Sequence, residues 1–192
     1  TMADVPIPEG GEEIVFQGTI VEVVHQPMKI GEKKKTFEFA RRSPGTRLII
    51  VDNTAAKIIL TKEYRTELKG YDYRLPGGKV FDALEEYNEF LDSGKDILEP
   101  ATERAKIEAR EETGIIAEKP EHIHTSVNGA TMTWDLFYFV IDKWTISEQE
   151  LEAGEDIAIE WVSYQQAKEY ALSGQMSEDR SVAVLLRWIH NL

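Results

Sequence analysis

Two runs in the first half of the chain, "TRLIIVD" and "AKIILTKEYR", constrain the fold more than anything else in it. A strand with one wet face alternates apolar and polar residues, whereas these runs carry three or more apolar residues in succession. Successive side chains of a strand point to opposite faces, so both runs read as strands buried on both sides. The polar "NTA" between them marks a turn. A chain of 192 residues is long enough for one well-packed domain, or for a domain with a small appendage.

Upstream of these strands, residues 1–13 are rich in Pro, Gly and Glu and suit a loose arm. Residues 14–46 are β-rich: "IVFQGTIVEVV" and "KTFEFARR" alternate roughly, and the Pro, Gly and charges of "HQPMKIGEKKK" place a turn between them. Downstream, "YDYRLPGGKV" ends in a glycine pair, and Phe81, Leu84, Tyr87, Phe90 and Leu91 recur at helical spacing until "DSGKD". Pro100 suits the first turn of a further helix, which runs through Glu112 and stops at Gly114. Strand patterns return in "HIHTSV", "WDLFYFVI" and "IAIEWVS", and two helical segments, "YQQAKEYALSG" and "SVAVLLRWIHNL", close the sequence.

A formal charge of −13 repels the phosphates of long nucleic acids, so no nucleic acid polymer is expected as partner. With no cysteine, disulfides and thiolate-bound zinc are excluded. The first residues lack a basic-then-apolar signal pattern, and no apolar run reaches the roughly 20 residues of a membrane helix. A cytoplasmic protein with no membrane partner is the expectation.

Glu108, Glu111 and Glu112 stand at i, i+3 and i+4 of the helix that ends at Gly114, on neighbouring parts of one face. Such a face most often only meets water. Three clustered carboxylates are also what a hard cation such as Mg²⁺ requires, and an ion there would relieve their repulsion.

The segment "EPATERAKIEAREETGI" resembles the second part of the Nudix box, G-x5-E-x7-R-E-U-x-E-E-x-G-U, where U is aliphatic. Glu99 fits the first glutamate, Glu108 the next, Ala109 the apolar position, Glu111 and Glu112 the pair, Gly114 the glycine and Ile115 the last aliphatic. Two departures stand out. Gly78 of "LPGGKV", the best match to the initial glycine, precedes Glu99 by 21 residues where the pattern allows six, so residues 79–98 form an insertion within the box. Ile107 occupies the family's arginine, and on helical geometry none of Arg104, Lys106 and Arg110 points in its direction. The resemblance implies a Nudix-type α/β/α sandwich with a mixed sheet over residues 47–192, preceded by the β-rich region at 14–46.

Within that family, "LTKEYR" and "YRLPGGKV" resemble the corresponding strands of the ADP-ribose and ADP-sugar pyrophosphatase branch, although Glu63 and Arg74 depart from it and Asn128-Gly129 stands where the branch commonly has proline. The resemblance implies hydrolysis of a nucleoside diphosphate sugar, ADP-ribose first, to a nucleoside monophosphate and a sugar phosphate. The alternatives are another NDP-sugar or a dinucleotide as substrate, or a nucleotide-binding regulator without catalysis. It implies Mg²⁺, with Mn²⁺ as a substitute, held by Glu108, Glu111, Glu112 and the backbone carbonyl of Gly77. Glu152 and Glu155, in an acidic loop before a late strand, are candidates to accept the proton of the attacking water, and Glu155 is also a candidate ligand. Arg65, Gly78 and Gly129 are the candidate substrate-binding residues, with a surface ion pair as the alternative for Arg65. A homodimer built by the N-terminal region completes the expectation. Trp134, Phe137 and Phe139 read as core rather than as a stacking platform.

Overall fold

Residues 45 to 51 are all buried, a burial pattern that an isolated hairpin cannot supply. In the computed structural model, which describes residues 4–151 and 156–192, the strands are β1 (Ile7–Pro8), β2 (Glu13–Gln17), β3 (Glu22–Ile30), β4 (Lys33–Arg41), β5 (Gly45–Asp52), β6 (Lys57–Arg65) and β7 (Gly70–Arg74). Helices α1 (Leu84–Ser93) and α2 (Leu98–Thr113) follow. After them come β8 (Ile115–Ala117), β9 (Glu121–Ser126), β10 (Met132–Thr133), β11 (Leu136–Ile141), β12 (Trp144–Ile146), β13 (Ile157–Ser163), α3 (Tyr164–Ser173) and α4 (Asp179–His190). The chain divides into two compact units that do not follow chain order. The larger gathers Gly45–Val80, Asp96–Ser126 and the described part of Leu136–Leu192; the smaller gathers the described residues up to Pro44, Phe81–Lys95 and Val127–Asp135. The segment inserted in the box thus shares a unit with the N-terminal strands.

The larger unit is the α/β/α sandwich expected of the sequence. Its sheet is mixed, in the order β13-β6-β5-β11-β9 with β7 also on β6; β11 runs parallel to β5 and the other pairings are antiparallel. Asp52 closes the β5–β6 turn by accepting from the backbone N–H groups of Thr54 and Ala55. Leu48, Ile49, Ile50, Ile58, Ile59 and Leu60 are wholly buried, each stabilising the fold by about 1.5–3 kcal/mol relative to exposure. Helix α2 lies against β5 and β11 through Ala101, Ala105 and Ala109, one small residue per turn, which lets its axis approach the strands closely. Asp96 caps its start by accepting from the Leu98 N–H, and Gly114 ends it in the left-handed conformation. Phe137 and Phe139 are core residues of β11, as their segment predicts.

In the smaller unit β3 and β4 form a long hairpin, flanked by β1 and β2 on one side and by a short parallel β10 on the other. The turn expected across "HQPMKIGEKKK" is far shorter than the sequence suggests. Pairing continues through Pro27, opposite Thr36, and only Gly31 and Glu32 turn the chain. Proline removes one donor from a ladder, and a hairpin of nine paired positions absorbs that loss. Among the described residues, no helix is long and apolar enough to cross a membrane.

Candidate functional site

Two of the three helix carboxylates converge on the glycine pair. Glu112 accepts from the backbone N–H of Gly77 at 2.7 Å. The carboxylate of Glu108, buried despite its charge, lies so close to Gly78 that a side-chain carbon at that position would overlap it. Gly77 is equally constrained: its φ of 141° is a conformation that favours glycine, and a Cβ there would strike the Thr46 carbonyl. The turn is strapped alongside β5 by Thr46 N–H to Gly78 C=O and Leu48 N–H to Pro76 C=O, both at 2.8 Å. Residues 76–78 therefore bridge the edge of β5 and the face of α2, where the box resemblance places the initial glycine.

Arg104 donates through Nε to Glu108 at 2.7 Å, one helical turn away, whereas Ile107 is 41% exposed. Arg104 does not point in the direction of residue 107, and its long side chain reaches Glu108 from i−4. Glu111, half-buried, gives its backbone carbonyl to Glu150 N–H at 3.0 Å. Gln149, which nothing in its sequence neighbourhood marks, holds the end of α2 by donating to the carbonyls of Glu112, at 2.6 Å, and Ile157, at 3.1 Å.

A second residue missed in the sequence is Arg47. It directly precedes the apolar run Leu48-Ile49-Ile50-Val51, and a charge at the start of a strand buried on both faces is the signal that could have found it. Its Nε and Nη2 donate to the two carboxylate oxygens of Glu178, both at 2.7 Å, and its Nη1 donates to the carbonyls of Thr46 at 2.8 Å and Gly77 at 3.4 Å. Ser181 Oγ donates to Glu178, and Tyr138 makes a 3.2 Å bond to Ser181. Burial opposes the charge on Glu178, but hydrogen bonds and attraction from Arg47 outweigh it and hold the carboxyl down at about 2. Burial likewise opposes the Arg47 charge; bonding to Glu178, with smaller help from Glu112, keeps the guanidinium protonated above its ordinary range.

The other sequence candidates are placed as follows. Arg65, half-buried at the end of β6, pairs with Glu67 at 2.9 Å and Glu63 at 3.1 Å. Gly129 belongs to the smaller unit, exposed and with a φ of 111°. Glu152 and Glu155 lie outside the described residues. Among the described residues no group of three or more His, Asp and Glu side chains is disposed to hold a metal ion together. Carboxylate oxygens on Glu108 and Glu112 beside a backbone turn nevertheless suit a hard cation in their chemistry. A cavity of about 540 Å³ in the smaller unit is lined by Gln17, Gly18, Thr19, Asp82, Ala83 and Glu85, none of them a candidate of the box.

No protein-family profile matches the chain, and no curated protein matches it in sequence. Solved structures do match in fold. One, described as the crystal structure of an ADP compounds hydrolase, aligns with all of this chain and 97% of its own, with a TM-score of 0.68 and 17% identity.

Proposed function

We propose that the chain is a metal-dependent hydrolase of the pyrophosphate linkage in a nucleoside diphosphate sugar, with ADP-ribose as its first substrate and a nucleoside monophosphate and a sugar phosphate as products. The observation that carries this reading is the convergence of Glu108 and Glu112 on the Gly77-Gly78 turn, the two halves of a box separated in sequence by the inserted segment. The full-length likeness in fold to a solved ADP compounds hydrolase supports it.

In this reading Glu108, Glu111 and Glu112 would hold Mg²⁺, or Mn²⁺ in its place, together with the Gly77 carbonyl and Glu155. The bound ion would neutralise pyrophosphate oxygens and lower the pKa of the attacking water. Gly78 belongs to the substrate-binding set of this reading, and its missing side chain leaves room for the Glu108 carboxylate beside the turn. Arg65 donates to the phosphates once one of its two glutamate partners yields, and Glu152 or Glu155 accepts the proton of the attacking water. A homodimer assembled through the N-terminal region completes the reading. Support for it comes from β2, exposed along its whole length and carrying Ile14, Val15 and Phe16 outward; sedimentation at several concentrations tests it, and a monomer throughout removes the dimer.

The deciding experiment incubates the pure protein with saturating Mg²⁺ and a panel of ADP-ribose, other NDP-sugars and dinucleotides. Release of AMP and ribose phosphate from ADP-ribose, abolished by chelation, is the expected result. Faster turnover of a dinucleotide reassigns the substrate. Binding without turnover of any compound overturns the hydrolase in favour of a nucleotide-binding regulator.

A further inference from the structure

The Gly77-Gly78 turn is gripped from two directions. From α2, the Glu112 carboxylate takes the N–H of Gly77; from β5, Arg47 Nη1 reaches the carbonyl of the same residue and that of Thr46. Arg47 is not free to wander. Its other two nitrogens are bound side-on by both oxygens of Glu178, at the mouth of α4, and Glu178 is fixed in turn by Ser181. A planar fork bonded to a carboxylate along one edge presents its remaining nitrogen in one direction only, and that direction is the turn. The chain of contacts α4, Glu178, Arg47, Gly77, Glu112 therefore runs unbroken from the final helix to the carboxylate helix.

We infer that Arg47 is a positioning residue of the site: locked by Glu178, it fixes the plane of the Gly77 peptide, and through that peptide it fixes the Glu112 carboxylate. Arg47 touches none of the reacting atoms. The inference rests on the hydrolase reading for its functional meaning, while its structural content is independent of it. An ammonium cannot reproduce the grip, because lysine offers a single nitrogen where the arginine engages two carboxylate oxygens and the turn together.

The test compares Arg47→Met, Arg47→Lys and Glu178→Gln in the full chain. Outer-shell partners of metal ligands typically matter by 10- to 100-fold in affinity or turnover, so Arg47→Met is expected to weaken Mn²⁺ binding, read by calorimetry, by about tenfold or more. It should lower kcat by a similar factor and leave KM for ADP-ribose within about twofold, with Arg47→Lys recovering part of both losses. Hydrogen exchange at the Gly77 amide should accelerate while the amides of the β5–β11 pairing stay as protected as in the wild type. Equal acceleration at Gly77 and throughout β5–β11 would mean that Arg47 only supports the fold, and wild-type Mn²⁺ affinity with wild-type Gly77 exchange would remove any role; either result overturns the inference. Should Arg47→Met fail to fold, Glu178→Gln, which keeps the arginine and loosens its anchor, decides by the same measurements. A wild-type protein that turns over nothing sinks the hydrolase reading, and the exchange comparison still decides for or against Arg47.

Discussion

Each unit of the molecule buries one arginine against carboxylates, and the two use the same chemistry for different ends. In the smaller unit Arg41 donates to Glu22 at 2.6 Å and to Glu12, and Glu22, wholly buried, accepts from Asn88 of α1 at 3.0 Å. Every contact there joins one side chain to another, so the cluster fastens the hairpin to the helix. In the larger unit Arg47 divides its donors between Glu178 and backbone carbonyls, and what it holds is a turn. A buried ion pair is weak evidence of net stability, since desolvation offsets most of the attraction, but removing one partner of either pair is costly. The atoms that each guanidinium reaches after its carboxylate tell whether it organises a fold or a site.

The comparison breaks first at the carboxylates themselves. Glu112→Gln keeps the acceptor for Gly77 N–H and removes a charge. Turnover is expected to fall by at least roughly 10- to 100-fold, the scale for disturbing even an outer-shell partner of a metal ligand, with thermal stability changed by about 1 kcal/mol. Unchanged turnover would leave the turn a structural device only. Next in size is Glu22→Ala, which leaves the buried Arg41 only its half-exposed partner Glu12 and should cost about 3 kcal/mol. Hydrogen exchange locates that loss: acceleration confined to β3 and β4 means that the units hold their stability separately, and acceleration everywhere means that they do not.

The Arg47 cluster can be probed by pH through Glu178. The Glu178 carboxyl sits at about 2 in the folded chain against an ordinary 4.5, so its stabilisation is present above 4.5 and is lost as pH falls towards 2. The shift corresponds to roughly 3 kcal/mol. Urea unfolding of Glu178→Gln between pH 5 and pH 2 should show a shallower slope than the wild type, and parallel curves would contradict the assignment. The smallest effect is expected of Gly78→Ala, where a methyl group must displace the Glu108 carboxylate. Overpacking of this kind costs about 1–3 kcal/mol, and turnover should fall by more than the stability change explains.

Local patterns made much of this structure legible. The apolar runs announced β5 and β6, and Pro100 and Gly114 bracketed α2 to within two residues, because burial on both faces and helix ends leave marks in neighbouring residues. The β3–β4 turn lies within the expected segment but was read too long for the same reason. Pro27 and three lysines are local turn signals, but pairing with a strand across the hairpin overrode them. At the site, Arg104 and Glu108 are four residues apart and sit within reach of helical reasoning. Arg47 and Glu178 are separated by 131 residues, and no spacing rule links them. Only a charge set directly before the buried run Leu48-Ile49-Ile50-Val51 marked the first, and nothing pointed to Glu178.

The smaller unit is sewn from three lengths of chain with stretches of the larger unit between them, and this sets an order of events at the ribosome. Its hairpin emerges early, its helix some forty residues later, and β10, which pairs with β4, only after residue 131. Among the described residues β10 covers only Ala40 and Arg41, so the rest of that edge of β4 stays open in the finished fold as in the nascent chain, and its sequence "KKKTFEFAR" begins with three lysines, the residues that best discourage foreign strands from pairing there. The charges that imitate a turn in the sequence thus guard a stretch of edge that β10 never reaches.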